Sequence, residues 1–280
     1  MRKNKSALLP HRFLECTKLM VKIKHQAKAI FYRHDSLLRL YSTLTKRKLT
    51  FAANDLDLLI AELIPSPGFY VELGANDGVA QSQTKYLEVY HGWHGVLIEP
   101  TPEIFKMLKM NRSKRNYFEN SACVSFEFPN SKIPMLYSDL MTIGLEGQND
   151  IANRGLHAHE GIGHLLRGSE NYEYSASATT LNQILTTSKA PRVIELLSLD
   201  VEGAELEVLR GIDFTRYKFK ILLVETRSIR EVEHFLDKHG YLLLAQVSKL
   251  DYIFSSAPQA QLSDQELKIE KFLDKLLKSS

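Results

Sequence analysis

Cysteine is nearly absent from this chain: Cys16 and Cys123 are the two among 280 residues. A pair so placed makes no disulfide framework, and the expected compartment is reducing. Long apolar runs are missing too. No uninterrupted stretch approaches the roughly 20 residues of a membrane span, and Lys18, Lys22, Lys24 and Lys28 break every apolar segment near the start. Neither a secretory signal nor a spanning helix is therefore expected. The expectation is a soluble, cytoplasmic chain or one peripheral to a membrane. Two glycine signatures are lacking as well. There is no G-x-G-x-x-G, so no dinucleotide pyrophosphate cradle, and no Gly-Lys-Ser/Thr, so no P-loop.

Hydrophobic residues at 44% and charged ones at 25% are ordinary for a folded globular protein. The length allows one α/β domain with an extension and a sizeable core. The net charge of +3 hides a segregation. Residues 1–50 hold thirteen Lys or Arg against Glu15 and Asp35, for +11; the other 230 residues hold 23 basic and 31 acidic groups, for −8. Phe13, Cys16, Met20, Ile23, Ala27 and Ile30 repeat at helical spacing over 11–31, and Leu37, Tyr41 and Leu44 continue the register after an interruption at His34. Such a basic amphipathic extension has three expected uses: peripheral contact with an anionic membrane, homodimerisation, or packing on its own domain.

Asn54 reads as the cap of a helix, Asp55 to Ile64, closed by Pro65-Ser66-Pro67-Gly68. A domain boundary is expected there or just before that helix. The resulting division is 1–64, a basic helical extension, 65–257, a catalytic domain, and 258–280, a C-terminal helix. Phe69 to Leu73 then reads as a buried parallel strand that runs into the turn Gly74-Ala75-Asn76-Asp77-Gly78. With Glu72 the spacing is E-x-G-x-x-x-G. An acid ahead of a glycine turn suits a cationic, hydroxyl-bearing ligand better than a phosphate, and S-adenosylmethionine has both an ammonium and a ribose. A helix is expected from this turn to about Tyr90.

Val96 to Ile98 is a second strand, closed by Glu99. That acid lies 21 positions after Gly78, the spacing at which a βαβ unit presents a carboxylate to ribose hydroxyls. Thr101-Pro102-Glu103 opens a helix. Tyr117 to Val124 reads as a third strand, with Asn120, Ser121 and Ala122 near the place of an adenine. Residues 126–178 show poor periodicity and many glycines, and read as a substrate or lid insertion. His157, His159, His164 and Glu160 fall there; as a zinc set their spacing is weak, so no metal ligand is assigned. Val193 to Leu199 is a further strand, ending in Asp200-Val201-Glu202-Gly203-Ala204-Glu205. Ligands gather at the carboxyl ends of such strands, which makes Asp200 and Glu202 the catalytic candidates and leaves Glu205 to support the following helix. Strands to Glu225, at 241–247 and at 251–254, and a tail helix at 264–277, complete the chain.

The succession V-E-L-G-A-N-D-G, L-I-E-P and L-S-L-D-V-E-G-A-E-x-E-V-L-R-G resembles the FkbM family of S-adenosylmethionine-dependent methyltransferases, over roughly residues 65–255. The resemblance implies an α/β, class I (Rossmann-like) fold: a mostly parallel seven-stranded sheet with helices on both faces, here with a helical N-terminal extension. It implies methylation of a hydroxyl on a sugar, glycan or related small molecule. Glu72, Gly74, Asn76 and Gly78, with Ala75 and Asp77 in the same turn, would hold the methionine part and Glu99 the ribose. Asp200 would lie beside the reactive methyl. Asp200 or Glu202 could act as base, with His157, His159 or His164 as loop-borne alternatives, or the two acids could hold Mg²⁺. An RNA methyltransferase using the +11 segment is one rival, against which the chain has neither Asn-Pro-Pro-aromatic nor Pro-Cys, so a nucleic-acid partner is disfavoured. A non-catalytic membrane or partner-binding module is the other.

Overall fold

The computed structural model describes residues 31–65, 67–147, 149–151 and 171–279. Most of the basic stretch 11–31 and all of His157, His159, Glu160 and His164 lie outside them. The chain divides into two compact units, residues 1–49 and 50–280. In the first, His34 interrupts the helix, as its place in the register implies, and α1 (Asp35–Thr45) follows. Among the described residues, no helix is long and apolar enough to cross a membrane.

The second unit opens with α2 (Leu56–Leu63). The expected Asn54 cap does not form. Asn54 and Asp55 both take positive φ, 53° each, and the Asp57 carboxylate instead accepts the Phe51 and Ala52 N–H groups. Helix α2 buries Leu56, Leu59, Ile60 and Leu63, so the unit begins before it rather than at the Pro65–Gly68 turn.

Eleven strands are described: β1 (Phe69–Leu73), β2 (His94–Ile98), β3 (Tyr117–Glu119), β4 (Ala122–Cys123), β5 (Lys132–Tyr137), β6 (Ile143–Gly144), β7 (Tyr172–Thr179), β8 (Val193–Leu199), β9 (Lys218–Glu225), β10 (Leu242–Gln246) and β11 (Asp251–Ser255). Seven form one sheet in the order β10-β11-β9-β8-β1-β2-β3. Strands β3, β2, β1, β8 and β9 run parallel; β11 is antiparallel to both β9 and β10. The sheet is thus mixed, with the antiparallel pair at one edge.

Strand alternation sends neighbouring residues to opposite faces. Val71 and Leu73 pack under α5 (Leu181–Thr187), α6 (Glu205–Leu209) and α7 (Ile229–Asp237). Tyr70, Leu97 and Leu196 pack under α2, α3 (Lys85–His91), α4 (Pro102–Asn111) and α8 (Gln259–Ser279). Helix α8 meets α2, so the C-terminal segment belongs to the same core.

Two expectations about elements change. The single strand 117–124 splits, because β4 leaves the large sheet and pairs with β7. That pairing starts a second sheet, β4-β7-β5-β6, which gives order to both ends of the segment 126–178. The helix expected directly after Gly78 starts only at Lys85. Glu72 is the cause: its carboxylate accepts the Gln83 N–H and the Ser82 and Thr84 hydroxyls, and holds the intervening chain in a non-helical path.

Beneath that path lies Arg112, whose side chain is wholly buried. Its guanidinium donates to Glu72, Gly78 O and Ser82 through Nη1, to Tyr70 and Thr84 through Nη2, and to Glu88 through Nε. Burial alone would raise the Glu88 carboxyl, but Arg112 and then Lys85 outweigh it and hold it at about 2. Removing one member of a buried charge network leaves the others uncompensated, at a cost of about 3–5 kcal/mol. Arg112→Met, measured by urea unfolding, is expected to lose about that much stability; a loss under about 1 kcal/mol would show that the network is not what holds this corner.

Candidate functional site

The carboxyl ends of β1, β2, β8 and β9 open on one cavity of about 270 Å³, lined there by Leu73 and Gly74, Ile98 and Glu99, Asp200, and Glu225. The opposite wall comes from Ile133 and Met135 of β5 and from the segment 139–147. This is where ligands bind in open α/β sheets, and the volume sits near the small end of ligand pockets.

Gly74 has φ +74°, and a Cβ there would stand 1.9 Å from the carbonyl oxygen of Asp200. Only glycine lets the end of β1 approach the end of β8 so closely. The turn is then stitched to β2: Ala75 N–H donates to Ile98 O, and Asn76 N–H to Glu99 Oε2 at 3.1 Å. The other Glu99 oxygen accepts the Thr101 N–H at 2.8 Å. Ser121 Oγ is buried against the cavity with no hydrogen-bond partner.

Seven carboxylates line the cavity, those of Glu99, Asp139, Glu146, Asp200, Glu202, Glu207 and Glu225; among the described residues no Lys, Arg or His does. Burial raises the Glu99 carboxyl to about 7, against the lowering by its N–H donors. Burial first, then Glu225, Glu202 and Glu205, hold Asp200 well above the usual carboxylate range. Glu205 stands behind, raised by burial to about 8 although the Gly203 and Val201 N–H groups donate to it, so it supports the turn before α6 as expected. Glu202, at φ 53°, reaches Arg227 at 3.5 Å. Cys123 also lines the cavity; burial raises its thiol, which leaves it a poor nucleophile. Among the described residues, no three His, Cys, Asp or Glu side chains converge as a metal set.

Of the residues singled out by sequence, Gly74, Asn76, Glu99, Ser121, Ala122, Asp200 and Glu202 meet at this cavity. Glu72, Ala75, Asp77 and Gly78 are not among the residues that line it. Glu72 is spent on Arg112 and the 82–84 hydroxyls. Ala75 is packed in the core. Asp77 caps the turn by accepting the Val79 and Ala80 N–H groups. A Cβ on Gly78 would meet Leu108 and Arg112 at 2.7 Å, so that glycine serves the approach of α4. Glu225 was legible by the rule that selected Asp200, since it too ends a buried strand. Asp139, Glu146 and Glu207 carried no such signal.

Residues 72–243 match the family described as the methyltransferase FkbM domain. A search of curated proteins found no match. Among solved structures, the chain is similar to precorrin-6y C5,15-methyltransferase from Geobacter metallireducens GS-15, with a TM-score of 0.34 and 10% identity over 71% of this chain and 86% of that one.

The raised carboxyls make stability depend on pH. Asp57, Glu99 and Glu205, at about 7, 7 and 8, keep protons in the folded state that the unfolded chain releases above the ordinary carboxylate range. The folded state then binds more protons than the unfolded one, so stability falls as pH rises through that window. His239, lowered by burial and Lys238, acts in the opposite sense, but it is one largely exposed ring. Calorimetry of the ligand-free protein at fixed ionic strength is expected to give a lower Tm at pH 8 than at pH 5. A rising Tm would mean that the cavity acids are ionised and paired throughout.

Proposed function

The chain belongs to the FkbM methyltransferase family, and from that premise we propose that it moves the methyl group of S-adenosylmethionine to a hydroxyl of a neutral sugar, glycan or related small molecule. One observation carries the reading: a cavity at the strand ends walled by seven carboxylates, with no cationic side chain among the described residues. Those acids that stay ionised repel a pyrophosphate, and an ammonium or sulfonium favours the ionised form of the raised ones, so a cation is preferred.

The residues present fit the cofactor by their chemistry. Gly74 and Asn76 would receive its amino-acid end, and Glu99, which the Asn76 and Thr101 N–H groups hold in place, its ribose hydroxyls. Ser121, with its orphan hydroxyl, and Ala122 would flank the base. When bound, S-adenosylmethionine supplies a methyl group already activated on a sulfonium. The protein's own task is to align the acceptor, exclude water and take a proton.

Asp200 suits the last of these. A carboxylate lifted by burial and by Glu225 is a stronger base once ionised than a solvated aspartate, and a cation beside it favours the ionised form. Glu202, oriented by Arg227, is the second candidate. The segment 149–151 closes over this pair: Asn149 Nδ2 donates to Glu202 O, Asp150 N–H to Gly203 O, and Arg227 N–H to Asp150 Oδ2.

Titration calorimetry is expected to show binding of S-adenosylmethionine and of its demethylated product, lost in Gly74→Val, where the new side chain would displace Asp200. Binding of NAD in their place would overturn the reading. Turnover is then followed with labelled cofactor across extracted glycans, lipids and RNA. Asp200→Asn is expected to cut it by roughly 10²–10⁴-fold while leaving thermal stability unchanged or raised, since a group whose ionised form is disfavoured by burial and neighbouring acids is replaced by a neutral one of the same shape. Methyl transfer to RNA alone would replace the hydroxyl acceptor, and undiminished turnover in Asp200→Asn would take Asp200 out of the mechanism.

A further inference from the structure

One face of the smaller sheet runs out of the cavity. On β5, Ile133, Met135 and Tyr137 share a side by strand alternation, and the first two line the cavity. On β7, opposite Ile133 and Tyr137, stand Ala176 and Tyr172, with Tyr174 between them opposite Met135. Burial falls along this face: Ala176 is 3% exposed, Tyr174 intermediate and Tyr172 41% exposed. The apolar floor of the cavity thus continues outward as three phenol rings.

Those rings are arranged. Tyr137 and Tyr172 have centroids 4.9 Å apart at 33°, and Tyr172 and Tyr174 lie 6.0 Å apart at 52°. Tyr174 is pinned by a 2.9 Å contact between its hydroxyl and that of Thr101, two residues beyond Glu99. Burial, then Asp139, Tyr172 and Glu99, raise the Tyr137 hydroxyl to about 12, so it remains a hydrogen-bond donor. The charges of Glu103 and Glu99 likewise reach Tyr172.

We propose that Tyr137, Tyr172 and Tyr174 form an aromatic ledge at the cavity mouth that receives the ring face of a neutral pyranose in the acceptor. The assignment rests on the methyl-transfer reading above and deepens it by naming the acceptor subsite. The negative face of each phenol attracts the polarised C–H bonds of a sugar ring. Asp139 and Glu103 stand near as acceptors for its hydroxyls, and acids there disfavour a phosphorylated, sulfated or uronic acid unit. A flat hydrophobic partner would use the rings but not the carboxylates. A pyranose uses both.

The test is saturation-transfer NMR on the full chain with the demethylated cofactor present, using methyl glycosides of glucose, galactose, mannose and rhamnose, and of glucuronic acid as the anionic control. Neutral glycosides are expected to receive saturation at their ring C–H protons, and the glucuronoside less. Tyr172→Ala, at an exposed position that leaves the core intact, is expected to weaken binding about five- to tenfold, Tyr137→Ala comparably, and Tyr172→Trp not at all. Cofactor affinity by calorimetry is expected to stay unchanged in all three. No transfer to any neutral glycoside, or transfer unchanged in the doubly substituted Tyr137→Ala, Tyr172→Ala protein, overturns the ledge even if S-adenosylmethionine binds. Failure of S-adenosylmethionine to bind, with transfer still lost in the tyrosine variants, overturns methyl transfer and keeps the ledge.

Discussion

The corner of the fold on which the site depends is held by one buried cation. Arg112, at the C-terminal end of α4, reaches β1 through Tyr70 and Glu72, the turn through Gly78 O, the following loop through Ser82 and Thr84, and α3 through Glu88. Desolvating a guanidinium is costly unless its donors are satisfied, and here each of its three nitrogens has an acceptor. Asn111 beside it donates to Asp77 O. The turn after β1 is therefore pinned from behind by two consecutive residues of α4. Its front, Gly74 and Asn76, is left to face the cavity. The close approach of Gly74 to Asp200 fixes the other side.

Electrostatics then divides the molecule's acids into two populations. Glu88 finds Arg112 and Lys85 and is held at about 2. Glu99 and Glu205 find mainly N–H dipoles, Asp200 finds other acids, and burial raises all three. Residue type does not distinguish the groups; the presence or absence of a cation does. A protein that stores several raised carboxyls around one cavity holds an electrostatic deficit there. A cation placed among them would relieve it by favouring their ionised forms.

Much of this was legible in the sequence, and the failures have a common origin. Apolar runs such as Val193–Leu199 and Phe69–Leu73 became strands at their read boundaries, because a doubly covered parallel strand can hardly be anything else. The strands ending at Glu225 and covering 251–254 likewise follow from local chemistry. What failed was long-range. The stretch 117–124 looked like one strand, but its second half pairs with a partner more than fifty residues on, in a separate sheet. The helix after Gly78 was displaced by a carboxylate that precedes it. Tyr137 and Tyr172 are separated by a segment without periodicity, and only the pairing of β5 with β7 puts them side by side.

Glu72 shows how the acid of a motif can serve the scaffold of a turn. Its spacing from Gly74 reads as a ligand contact, and the turn it introduces does line the cavity. Yet on β1 the side chains alternate, and that of Glu72 goes to Arg112 and the 82–84 loop instead. Had it faced the cavity, an eighth carboxylate would have joined seven already crowded, while Arg112 would have lost one of its two carboxylate partners. The sequence pattern E-x-G-x-x-x-G thus encodes a turn held in place by its acid. The residues that line the cavity beside that turn are Asn76, Glu99 and Asp200.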